Sequence, residues 1–154
     1  MSDTQIQNFM QFWHKAIEKK DLSIISPVVS DEVTLISPAL YKPKVGKPVV
    51  MALLNDVAAS INDYKISKTW ISGNEILLEF DATVRNKKIQ GIDKITLNEQ
   101  GQMVNLKVFI RPFSGLQALI SSIVSLELGR ALLKMNSYQR LWFKIRYRSR
   151  LKSV

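Results

Sequence analysis

A chain of 154 residues, 46% apolar, is long enough for one domain with its own core, and the absence of cysteine excludes disulfides and thiolate metal sites. The formal charge of +9 is concentrated at one end: residues 130–154 hold eight Lys/Arg and no Asp/Glu. Taking those eight from the 22 basic residues leaves 14 against 13 acidic ones in residues 1–129, a nearly neutral body that argues against nucleic-acid binding by the whole domain. The opening MSDTQIQNFMQF has no basic segment followed by an apolar run, and no stretch approaches ~18 uninterrupted apolar residues. The cytosol is the expected compartment.

Ile6, Phe9, Met10, Trp13 and Ile17 recur at helical spacing and predict an amphipathic first helix. Asp21 caps a short second one, disturbed at its end by Pro27. Residues 33–37 read as a strand stopped by Pro38, and residues 39–48 as a loop with two prolines and a glycine. Pro48 opens a further helix whose inner stripe is Val49, Val50, Leu53, Leu54, Val57, Ala58 and Ile61. The period then changes from 3.6 to 2. Residues 64–71 form a strand and Ser72-Gly73-Asn74 a turn. In residues 76–85 the inner positions are Ile76, Leu78, Phe80, Ala82 and Val84, with a hairpin tip at Asn86-Lys87. In residues 88–97 they are Ile89, Gly91, Asp93, Ile95 and Leu97, and in the last strand Val104, Leu106, Val108 and Ile110, before Pro112. Helices followed by an antiparallel meander predict an α+β fold, a curved sheet wrapped on helices.

Asp93 breaks the pattern of its own strand, since it takes an apolar position between Gly91 and Ile95. A carboxylate there must be solvated through a cavity, paired or protonated, because bare burial is too costly. In an apolar cavity its pKa would rise, making it a candidate acid/base near neutral pH. Alternatively, it is a structural carboxylate bonded to a backbone amide or to a Trp or Tyr donor. Gly91 leaves space for another group to approach the strand. His14, the only histidine, flanks the first apolar stripe and has neither a second histidine nor an acidic pair beside it, so no metal site and no cofactor are expected. Lys42, Lys44 and Lys47 cluster in the loop region, as a solvated group or as an attraction for an anionic ligand.

The segments FMQFWHKAIEKKDLSII, SDEVTLISPALYKPKVGKPVVMALL and IQGIDKITLNEQGQMVNLKVFIRPFSGLQAL, in this order and spacing, resemble the nuclear transport factor 2-like superfamily, in particular its SnoaL-like branch. The resemblance implies a cone: a curved, mostly antiparallel sheet closed by N-terminal helices around a ligand cavity, often in a homodimer. It implies that Asp93 stands where isomerases and cyclases keep a cavity Asp, as oxyanion donor or acid/base. It puts Trp13 at the position of an isomerase's hydrogen-bonding Tyr, and Ser37 at that of its proton-abstracting Asp. The acid is kept and the base is missing, which argues against steroid isomerase chemistry. The Asp-Arg-Asp constellation of epoxide hydrolases finds only Asp93, because Arg85 and Arg111 fall on outward positions.

The function expected is therefore that of a domain binding a hydrophobic small molecule without catalysis, in residues 1–115. Its pocket would be formed by Trp13, Ser37, Tyr41, Phe80, Asp93, Val108 and Ile110, with Tyr41 at the mouth. The alternative is a cyclase, isomerase or dehydratase with Asp93 as its single acid/base. Residues 116–154 form a separate extension: an amphipathic helix over 116–135, weakened by Gly129, then a basic tail in which Phe143, Ile145, Tyr147 and Leu151 alternate with Lys and Arg. That alternation fits an edge strand or extended arm. The plainest use is a packing arm that covers a partner subunit's sheet and keeps its charges in water; against it stand adsorption of Arg140 to Lys152 to an anionic membrane surface and, less well, a grip on a nucleic-acid backbone.

Overall fold

The computed structural model describes residues 3–134, so the tail readings lie outside the described residues. Helix α1 (Asp3–Lys19) comes first, followed by a 3-10 turn (Leu22–Val28), strands β1 (Val29–Ile36) and β2 (Lys44–Val45), and helix α2 (Lys47–Ser60). The meander β3 (Asn62–Ser72), β4 (Glu75–Val84), β5 (Lys87–Leu97) and β6 (Met103–Arg111) leads into helix α3 (Phe113–Lys134). The strands form one six-stranded sheet in the order β2-β1-β6-β5-β4-β3. Only β1 and β6 run parallel; every other pairing is antiparallel. This is the predicted α+β arrangement, a curved mixed sheet with helices laid on its inner side.

Local chemistry accounts for the element ends. Asp21 Oδ1 accepts both the Ser23 amide (3.0 Å) and the Ser23 hydroxyl (2.6 Å), capping the 3-10 turn as its side chain predicts. Those two bonds hold the Asp21 carboxyl below the ordinary carboxylate value. Gly46, at φ 102, turns the chain into α2, whose first turn carries Pro48. The β4–β5 hairpin turns on Arg85-Asn86, both at positive φ, one residue earlier than predicted. Two left-handed residues in a row match the twist of the flanking strands, and an asparagine tolerates that conformation well.

The alternating strands bury the predicted sides. In β4 all five predicted inner residues are buried, and so are all five of β5, Asp93 included. β6 departs from simple alternation. A register irregularity opposite Thr96/Leu97 puts Met103 in the core and leaves Val104 half-buried. In α2, Val49 is exposed and Asp56 is buried, the reverse of what their polarity suggests. The Asp56 carboxylate accepts from Arg130 of α3, and Arg130 also reaches Glu127 at 2.9 Å. The loop predicted for residues 39–48 contains the two-residue strand β2, which pairs with β1 at Thr34–Val45 and Leu35–Lys44.

The core has two clusters. The larger joins α1, the 3-10 turn, β1 and α2 to the lower ends of β4–β6 around Phe9, Ile25, Ile76 and Ile95. The smaller gathers Phe80, Ala82, Val84 and Ile89 under Leu119 of α3. Gly115 lets α3 approach the sheet this closely, since a Cβ there would collide with Ile89. Helix α3 thus packs on β4, β5, β6 and α2. Among the described residues no helix is long and apolar enough to cross a membrane.

Candidate functional site

Between the two clusters lies a cavity of about 310 Å³. Its walls come from α1 (Trp13, Ala16), the inner strands (Leu35, Phe80, Ile89, Leu106), α2 (Leu54, Val57) and α3 (Leu116, Leu119, Ile123). The lining is predominantly apolar, as small-molecule sites usually are, with a few convergent polar groups. Of the expected pocket residues, Trp13, Ser37, Phe80, Asp93, Val108 and Ile110 line it together.

Tyr41 does not. Its side chain is fully exposed and it is absent from the cavity wall. The cause is local. Pro38 ends β1, and the Ser37 carbonyl accepts the Leu40 amide at 3.1 Å, closing a turn that carries the following residues away from the cavity. Ser37 Oγ accepts the Ala39 amide at 3.2 Å within this turn. Lys42, Lys44 and Lys47 are likewise absent from the wall, and Lys47 pairs with Asp31 at 3.8 Å. His14 is exposed on α1. Arg85 bonds Ser125 Oγ at 2.9 Å and Arg111 bonds Gln90 Oε1 at 3.2 Å, both outside the cavity.

A chain of contacts beginning at a glycine sets the polar centre. Gly91 has no side chain, and the Phe80 ring lies where its Cβ would stand. Phe80 stacks on Tyr64 at a centroid distance of 4.8 Å and 24°. Tyr64 is held by that stack and donates its hydroxyl to Asp93 Oδ2 at 3.0 Å. Asp93 is 7% exposed, and no Lys or Arg among the described residues pairs with it. Burial pushes its carboxyl up to about 7, against the smaller opposite effect of the Tyr64 hydrogen bond. Burial, then the neighbouring Asp93 charge and hydrogen bond, raise the Tyr64 phenol above its ordinary value, so it stays a donor. Trp13 stacks on Phe9 at 5.8 Å. Its Nε1–H is buried with no acceptor at ordinary hydrogen-bond distance, and its weak hydrogen bond toward Tyr64 is the smallest influence on that phenol, acting to lower its pKa.

Tyr64 is the site residue that sequence reasoning did not single out, although a Tyr donor was one of the partners foreseen for Asp93. Lys20 and Asp63 were missed as well. Both are exposed, both have positive φ, and both join the cavity wall; Asp63 Oδ2 accepts the Thr83 hydroxyl at 2.9 Å. Chemically, the arrangement is an apolar chamber with one carboxyl that is half-protonated near neutral pH. Tyr64 occupies Oδ2, which leaves Oδ1 to carry the proton. Among the described residues no group of three or more His, Asp or Glu side chains could hold a metal ion.

The chain is similar to a steroid delta-isomerase from Pseudomonas aeruginosa, with 32% identity over 85% of this chain and 96% of that one, at a TM-score of 0.79. It is also similar to a bacterial protein with a cystatin-like fold from Silicibacter pomeroyi (23% identity, 92% of each chain, TM-score 0.71). An NTF2-like protein of unknown function from Cytophaga hutchinsonii shares the fold at 17% identity, over 69% of this chain and 89% of that one, at a TM-score of 0.57. No protein-family model and no curated protein matches the chain.

Proposed function

Since the chain belongs to the nuclear transport factor 2-like superfamily, whose fold commonly binds small molecules, we propose that its cavity binds an apolar molecule through one oxygen acceptor placed at Asp93. The observation that carries this reading is the Asp93 carboxyl, buried, unpaired with any cation among the described residues and bonded through one oxygen to Tyr64. Protonated, its other oxygen can donate to a carbonyl or hydroxyl oxygen, as a neutral carboxylic acid in an apolar site does. The Trp13 indole also lines the chamber, and its buried N–H has no acceptor at ordinary hydrogen-bond distance, so it can turn a weak interaction with Tyr64 into a donation to a ligand. The rest of the wall contributes hydrophobic burial and shape.

Calorimetric titration with a fused-ring ketone and with the hydrocarbon of the same skeleton tests this. The ketone should bind roughly tenfold more tightly, the worth of one good hydrogen bond. Asp93→Leu should erase the preference and Asp93→Asn, which keeps a donor, should retain most of it. Equal affinities in the unaltered protein would refute the reading.

A second reading is catalysis, favoured by the 32% identity to a steroid delta-isomerase. Asp93 would then stabilise a developing enolate. Abstracting the substrate's proton needs a base, and Ser37 occupies the position where the family resemblance expects one. Asp63, the other carboxylate of the wall, is already bonded to Thr83. Binding without turnover is therefore the primary reading. The same titrations, run with a β,γ-unsaturated ketosteroid and followed for the conjugated product, decide between the two.

A further inference from the structure

We propose that the outward side of α3, with the basic segment that follows it, docks on an anionic membrane surface. Helix α3 turns Leu116, Leu119 and Ile123 to the cavity, which leaves Phe113, Ile120 and Val124 exposed at 72%, 37% and 59%. With Gln117 these residues stand at spacings of four, three and four, one line along the helix. Glu127 lies beside that line and is engaged by Arg130, so no free acidic group interrupts it.

The chain from 130 to 154 then carries eight Lys/Arg and no Asp/Glu, interleaved with Tyr138, Trp142, Phe143 and Tyr147. An exposed apolar line, followed in the sequence by cations and aromatic residues, fits a surface that is apolar beneath and anionic above. Charge complementarity selects among occupants. A second copy of the chain would bring a like net charge of +9 against this one. A nucleic-acid backbone would meet the charges but would leave Phe113, Ile120 and Val124 without a role.

The test is co-sedimentation of the full-length protein with phosphatidylcholine vesicles, with and without phosphatidylserine. Binding is expected only with phosphatidylserine, and it should be lost at roughly 0.5 M salt, where the Debye length is only a few ångströms. Two variants separate the contributions. Arg146→Gln/Arg148→Gln/Arg150→Gln should lower partitioning at least tenfold. Phe113→Gln/Val124→Gln is neutral in charge and suited to a helix, and it should lower partitioning several-fold while leaving retention on duplex DNA unchanged. The proposal is overturned if phosphatidylserine makes no difference, if the Phe113/Val124 variant partitions like the unaltered protein, or if the protein is retained on duplex DNA but not on phosphatidylserine vesicles at the same salt.

Discussion

A buried carboxylate is tolerated only if its surroundings offset the loss of water, and around Asp93 they do so incompletely. One hydrogen bond from Tyr64, with no cation, leaves desolvation dominant, and the carboxyl sits at about 7 where an exposed one has 3.8. The folded value is raised above the unfolded one, so the cost is absent below about pH 4, grows as pH rises to about 7, and is complete above that. A difference of roughly three units corresponds to about 4 kcal/mol of stability lost at alkaline pH. Asp93→Asn cannot ionise and escapes this loss. Denaturant unfolding at a series of pH values should show the stability of Asp93→Asn relative to the unaltered protein rising by about 3–4 kcal/mol between pH 4 and pH 8. Parallel pH profiles for the two proteins would count against a buried, unpaired acid.

Among the elements, β5 sets the site through what it lacks. Gly91 has an ordinary backbone conformation, so it is required for the space it leaves and not for its φ. A methyl group there would displace the Phe80 ring or press on the Phe109 carbonyl, and Phe80 is the platform for Tyr64. Glycine inside a strand is otherwise a weakness, and alanine would ordinarily improve it. Gly91→Ala should therefore destabilise the protein by about 1–3 kcal/mol, through overpacking. A midpoint in urea equal to or above that of the unaltered protein would show that Phe80 yields at no cost. The same strand explains what the sequence discloses. Strict alternation exposed Asp93 as an anomaly, and register with β4 and β6 bears out its inner side. Tyr64 was hidden because it lies on β3, two strands from Asp93, and β3 carries two register irregularities that spoil parity. Tyr41 misled because a Pro-flanked loop has no periodicity from which a direction can be taken.

At the scale of the molecule, the cavity exists because two hydrophobic clusters close on different helices. The larger is sealed by α1 and α2, the smaller by α3, and the space between them keeps one carboxyl away from water. The order of elements and the inner sides of β4 and β5 were legible in the sequence, because those strands are regular and half-buried. The bulge in β6, the short β2 and the Asp56–Arg130 pair depend on contacts between distant segments, which periodicity does not encode. Helix α3 joins the two proposals, since it walls the cavity on one side and offers an exposed apolar line on the other.

The proposed role of Asp93 is to hold a proton near neutral pH and present it to a ligand oxygen. Carbon-13 NMR of the aspartate side-chain carboxyls in the full-length protein, with Asp93→Asn assigning the signal, tests it directly. The predicted midpoint is about 7 in the free protein, moving upward when a fused-ring ketone is bound, because an acceptor stabilises the protonated form. A midpoint near 4, or one that the ketone leaves in place, would rule out that role.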